Sequence, residues 1–168
     1  MRKVCRAVAL TFTAALVPVV ARAQMVASPI HFGGQLDFET ANSKPGIGAR
    51  AEYGLSKLIP SVPQLKLIGS FDYFFESSPV KLWELNIDAA YNIPMTASPV
   101  HPYVGAGFNY AHVSVSSGGF SASGSSSGLN LLGGVQFKAM GTLTPYAEAR
   151  FETRSGSPFV LTAGVLFH

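Results

Sequence analysis

His112 and Ser114 stand two residues apart in the stretch Tyr110 to Ser114, so an extended chain places both on one face. A histidine beside a serine hydroxyl is the smallest beginning of a nucleophilic catalytic group. Such a pair needs a carboxylate to orient the imidazole, and no Asp or Glu occurs between Asp88 and Glu148. The expected reading of His112 is therefore a histidine beside a polar loop, not a catalytic base. A second spacing is more telling. Arg50 and Glu52, and then Glu148, Arg150 and Glu152, put opposite charges two residues apart, the separation that aligns them on one side of a strand. The remaining chemistry is excluded by spacing. His31, His101 and His168 have no metal-ligand arrangement, and no phosphate-binding or dinucleotide glycine pattern is present, so no metal or other cofactor is expected.

The charge balance depends on where the chain begins to fold. Arg2, Lys3 and Arg6 precede an apolar run from Ala7 to Val20, which is followed by Ala21-Arg22-Ala23, the three-part layout of a secretory signal peptide. Residues 1–23 are expected to be removed, leaving 24–168 as a single domain. Twelve Lys and Arg face nine Asp and Glu in the full sequence, but four of the twelve lie in the export segment. What remains carries eight bases and nine acids, which rules out a basic nucleic-acid-binding surface. The only cysteine, Cys5, also lies in the export segment, so neither a disulfide nor a thiol nucleophile is expected in the exported protein.

From Ile30 onward the residues alternate with a period of two. The apolar rows are Ile30 to Phe38, Ile47 to Tyr53, Leu65 to Phe75, Trp83 to Tyr91, Val104 to Tyr110, Leu129 to Phe137, Ala147 to Phe151 and Phe159 to Phe167. Eight strands are expected, separated by turn-forming stretches such as ANSKPG, ESSPVK, IPMTASP and TRSGSP. The Ser/Gly-rich stretch 114–128 is expected to be the longest loop and mobile. The chain beyond it is too short for an independent domain, which argues against an interdomain linker.

Alternation alone fits a soluble ligand-binding barrel as well as a membrane barrel, the two differing in which face is wet. Aromatic residues at the ends of the apolar rows point to the membrane. Phe32, Phe38, Tyr53, Phe75, Trp83, Tyr91, Tyr110, Phe137, Phe151, Phe159 and Phe167 are expected to form two girdles at the lipid–water interfaces. The opposite face mixes acids and bases with Gly, Ser and Asn, and charged residues make up only 12% of the chain. An eight-stranded interior is just wide enough to be filled by side chains. Arg50, Glu52, Asp72, Glu84, Asp88, Glu148 and Arg150 are thus expected to be a packed polar network in the lumen, with Arg50 and Arg150 as its anchors.

The signal peptide, PYVGAGFNYA at 102–111, LTPYAEARF at 143–151 and the closing LTAGVLFH together resemble the small eight-stranded outer-membrane β-barrels of Gram-negative bacteria: OmpA-type transmembrane domains, OmpX-like proteins and opacity-like porins. The resemblance implies an all-β fold, an eight-stranded antiparallel up-and-down transmembrane barrel, with both termini in the periplasm. It implies a structural or surface-interaction role in the outer membrane, and with no carboxylate near His112 and Ser114 no enzymatic activity is expected. Partners would be outer-membrane lipid and lipopolysaccharide along the wall, and the outer-membrane assembly machinery through the C-terminal strand. Members of this group commonly end in Phe; here Phe167 is penultimate and His168 is last. The sequence names no extracellular partner. A narrow channel for ions or small hydrophilic solutes is the alternative, followed by a lipid A-modifying enzyme and a soluble periplasmic ligand-binding barrel.

Overall fold

A computed structural model describes residues 30–77, 79–96, 98–138, 140–154, 156 and 158–167. The expected signal peptide and His168 lie outside the described residues. Eight strands follow in chain order: β1 (Ile30–Glu39), β2 (Lys44–Gly54), β3 (Leu65–Phe74), β4 (Val80–Asn92), β5 (Val100–Ser117), β6 (Phe120–Phe137), β7 (Leu143–Glu152) and β8 (Phe159–Phe167). Each pairs antiparallel with its sequence neighbour, and β1 pairs with β8, which closes the barrel. Closure leaves the barrel wall without an edge, so every backbone group there finds a partner in a neighbouring strand. Among the described residues the one helical element is a single turn, Leu55–Lys57, between β2 and β3. No helix among the described residues is long and apolar enough to cross a membrane, a test that does not bear on strands.

Up-and-down connectivity puts the β1–β2, β3–β4, β5–β6 and β7–β8 connections at one end. The other three share the opposite end with the beginning of β1 and the end of β8. Apolar clusters lie within the lumen towards each end. Phe74, Leu82, Ala111 and Val160 form the one nearer the β5–β6 hairpin, and Ile68, Ala90, Tyr103 and Leu132 the other.

The stretch 114–128 is not a mobile loop. β5 and β6 continue through it in unbroken register from Ser114↔Ser123 to Ser117↔Phe120, and only Gly118 and Gly119 form the turn. Their φ angles of 59° and 84° are the left-handed values that a two-residue hairpin turn requires, which glycine adopts without a Cβ penalty. Serine and glycine composition suggested a loop, but pairing along the whole hairpin overrides the low strand propensity of these residues. The hairpin outruns its flanks, since β4 stops pairing at Val80↔Val115 and β7 at Asn130↔Glu152.

The GAG stretch at 105–107 lies within β5, with both glycines turned inward. A Cβ on Gly107 would sit 2.1 Å from the Ile87 carbonyl oxygen and 2.3 Å from Asp88 Oδ1. These glycines let β5 approach β4 where the lumen is crowded.

Candidate functional site

Alternation along the eight strands sends two chemically distinct sets of side chains in opposite directions. Eight of the nine carboxylates of the sequence point into the lumen and are buried: Asp37, Glu39, Glu52, Asp72, Glu84, Asp88, Glu148 and Glu152. The ninth, Glu76, pairs with Lys44 at the mouth. Such burial is tolerable only when the charges are paired and hydrogen-bonded, because low-dielectric surroundings penalise an isolated ion by several kcal/mol.

Two arginines supply most of that pairing. Arg50 donates from Nε and Nη2 to Glu52 Oε1 at 3.0 and 2.8 Å, and from Nη1 to Glu148 Oε2 at 2.9 Å. Arg150 donates from Nε to Glu152 Oε1 at 2.9 Å and from Nη2 to Asp72 Oδ2 at 3.0 Å. Glu148 joins the two centres, since its Oε1 lies 3.9 Å from Arg150 Nη1. At one end of the chain Lys66 Nζ donates to Glu52 Oε2 at 3.0 Å. At the other, Arg154 bridges Glu152 and Glu84. The ion pairs form one continuous series from Lys66 to Glu84.

Six of the seven residues expected in a lumen network therefore belong to this series. Asp88 joins it only through amides. Asn130 Nδ2 donates to Asp88 Oδ1 at 2.9 Å and to Asn86 Oδ1 at 3.0 Å, and Asn86 donates to Asp72 Oδ2 at 2.9 Å. The seven omit essential members. Lys66 and Glu152 were identifiable on the polar face by the same alternation. Arg154 lies beyond β7, where a two-residue period gives no signal, and only closure of the barrel brings it to Glu84.

Tyr103 and Tyr146 were also missed. They occupy equivalent places in two similar stretches, HPYVGAGF at 101–108 and TPYAEARF at 144–151, one residue before an outward-facing position. Tyr103 donates to Glu148 Oε2 at 2.8 Å and Tyr146 to Gln35 Oε1 at 2.7 Å. The Arg50 guanidinium lies over the Tyr146 ring at 4.4 Å and the Lys66 ammonium over the Tyr103 ring at 4.0 Å, so the rings serve the cations as well as filling space.

Lumen carboxylates outnumber the four cations Arg50, Lys66, Arg150 and Arg154, and neutral donors hold those the cations do not reach. Asp37 accepts from Thr162 at 2.6 Å and from Gln35 at 3.1 Å, and Glu39 accepts from Asn42 at 3.0 Å. No group of three or more His, Cys, Asp or Glu able to hold a metal ion occurs among the described residues. A water-filled pore would wet the side chains lining it. Arg150 is 1% exposed, and Asp72, Glu84 and Glu152 are each 0% exposed. The polar set fills the barrel.

The outward set is apolar and aromatic. All eleven expected girdle residues stand on the outer wall; nine are exposed, from Phe151 at 37% to Phe32 at 61%, and Tyr53 and Trp83 are half-buried. Phe32, Tyr53, Tyr91, Phe137 and Phe167 lie at the end that carries both termini. Phe38, Phe75, Trp83, Tyr110, Phe151 and Phe159 lie towards the hairpin end. The two levels are not purely aromatic borders, because Phe71 and Phe108 occupy the wall between them.

His112 also faces outward. Its ring stacks on Trp83 with centroids 5.2 Å apart, and its Nδ1 lies 2.9 Å from Ser125 Oγ on β6, so its partner is not Ser114. Every carboxylate is accounted for in the lumen or at the mouth, so no acid stands on the outer wall to orient this imidazole.

Comparison with known proteins agrees with this inside-out arrangement. The family model described as the outer membrane protein beta-barrel domain matches residues 10–155. No curated protein sequence matches. Among solved structures, the N-terminal β-barrel domain of Pseudomonas aeruginosa OprF is similar at TM-score 0.65 and 15% identity, covering 82% of this chain and 95% of that one. Neisserial surface protein A gives TM-score 0.61 and 21% identity over 82% and 94% of the two chains. Ail, the attachment invasion locus protein of Yersinia pestis, gives 0.53 and 19% over 82% and 91%. At such identities the likeness is one of fold, whereas the family model spans most of the sequence. The chain belongs to the outer membrane protein β-barrel domain family.

Proposed function

We propose that this outer-membrane barrel is a non-catalytic, non-conducting scaffold that displays the β5–β6 hairpin at the cell surface. The observation that carries this reading is the lumen, which among the described residues is filled by the buried ion-pair series, with Arg150 1% exposed and Glu84 and Glu152 each 0% exposed. An even strand number puts both termini at one end, and the usual family arrangement assigns that end to the periplasm after cleavage following Ala23. The hairpin then projects outward, with Phe120, 83% exposed, at its tip among serines and glycines. One exposed aromatic on a polar ribbon suits a contact surface better than a catalytic one. The names of two similar structures, a surface protein and an attachment protein, lend support to a surface role. Outer-membrane lipid and lipopolysaccharide would cover the wall, and β8 would present its apolar row, ending in Phe167, to the assembly machinery.

Planar-bilayer recording separates this reading from a narrow channel. The refolded protein is expected to be electrically silent. Discrete, voltage-dependent conductance steps would overturn the closed-lumen reading and favour passage of small hydrophilic solutes.

A further inference from the structure

The outer wall carries one charged side chain among the described outward-facing strand positions, Lys81. It does not stand alone. Register pairs Lys81 with Ser114 and Trp83 with His112 on β5, and His112 with Ser125 on β6. The wall's lone ammonium, its lone imidazole and three hydroxyl groups, those of Ser114, Ser125 and Tyr110, thus gather around one indole. Lys81 is exposed and forms no ion pair among the described residues. We propose that this patch binds the phosphate of an outer-leaflet lipid, whose acyl chains lie down the wall below it. The proposal rests on the reading that the wall faces lipid and the hairpin end faces outward.

Three features of the geometry support it. Along the outer face of β4 the order is Lys81, Trp83, Leu85, Ile87 and Ala89, running from cation through aromatic to aliphatic, as a lipid runs from headgroup to chain. Leu85 and Ile87 are exposed at 47% and 68%, an apolar surface that a soluble anion would leave uncovered. The imidazole is held in position. Tyr110 donates its hydroxyl proton to Ser125 Oγ at 2.8 Å, which frees the serine proton for His112 Nδ1 at 2.9 Å. In the tautomer in which Ser125 donates to Nδ1, the proton stands on Nε2 as a donor, and the stack on Trp83 fixes the ring plane. A lipid phosphate has the acceptor oxygens and negative charge that the Lys81 ammonium, the His112 Nε2–H and the Ser114 hydroxyl would satisfy together.

Trp83, the single tryptophan, reports the test. The protein is refolded into phosphatidylcholine vesicles in which a fixed fraction of lipid is replaced by brominated-chain phosphatidic acid or by brominated-chain phosphatidylcholine. For the wild type, the acidic lipid is expected to compete for the Trp83 site about fivefold better than the neutral one, the preference due to one lysine near a lipid surface. Lys81→Glu is expected to abolish the preference, Lys81→Gln to reduce it towards parity, and His112→Ala to lower it in part. Lys57→Glu, at the other end of the barrel, keeps the wild-type value. Equal quenching of the wild type by the two lipids, or an unchanged preference in Lys81→Glu, would overturn the site while leaving the lipid-facing wall intact. Quenching by neither lipid would reject the wall reading, and the site with it.

Discussion

Replacing Arg150 by alanine is expected to destabilise the barrel by about 3–5 kcal/mol, the cost of breaking a buried ion pair and leaving its partner charged. Arg150 is 1% exposed and lies between three carboxylates, Glu152 and Asp72 within hydrogen-bond distance and Glu148 at 3.9 Å. Removing the guanidinium leaves Asp72 without an ion-pair partner among the described residues, while Glu148 keeps Arg50 and Glu152 keeps Arg154. Arg150→Lys is expected to fall between alanine and the wild type, because it restores a charge but not the planar fork that reaches Glu152 and Asp72 together. Lys44→Ala removes an ion pair at the mouth, where both partners are more exposed, and is expected to cost about 0–1 kcal/mol. Urea unfolding of protein refolded into vesicles checks the series, and heat-modified electrophoretic mobility follows the folded fraction. Equal stability of Arg150→Ala and the wild type would refute the network's structural role.

Placing a charge on the wall carries the second large effect. Ile87 is 68% exposed, midway along the outer face of β4 between Trp83 and Tyr91. Ile87→Arg is expected to destabilise the inserted barrel by about 2–4 kcal/mol, the cost of a guanidinium facing hydrocarbon at the membrane midplane. The same residue at Ser123, on the protruding hairpin, is expected to change stability by no more than about 0.5 kcal/mol. In a soluble barrel both substitutions would sit at a water-facing surface and cost alike. Reversible unfolding from vesicles distinguishes the two, and equal small effects would argue against a lipid-facing wall.

The strand framework was legible because a period of two is strict: Asp37, Glu39, Arg50, Asp72 and Arg150 fall on one side of their strands wherever the strands end. Strand ends were less legible. Val80 to Leu82 extend β4, and Ser114 to Gly128 belong to a paired hairpin, because cross-strand hydrogen bonds support a backbone that its side chains do not favour. The lumen was legible as a set of residues but not as a series of contacts. Periodicity put Glu148 and Arg50 on inner faces, whereas their 2.9 Å pairing spans 98 positions of sequence and depends on barrel closure. Arg154 and the amide link from Asp88 to Asp72 have the same origin. The His112 partner was illegible for a related reason: the serine that meets it stands on the next strand, at a register fixed by the Gly118–Gly119 turn.

Alternation in this barrel is turned inside out, with apolar residues facing lipid and polar residues filling the barrel. This arrangement is tested most directly by a nitroxide scan of β8 in vesicles, aided by the absence of cysteine after Cys5. Single cysteines placed from Val160 to Leu166 are spin-labelled, and their collision rates with oxygen and with a water-soluble nickel reagent are measured. Labels at Leu161, Ala163 and Val165 are expected to be open to oxygen and shielded from nickel, while those at Val160, Thr162 and Leu166 are shielded from both. Strong nickel collisions at Leu161, Ala163 and Val165, with no two-residue period in oxygen accessibility, would contradict the account.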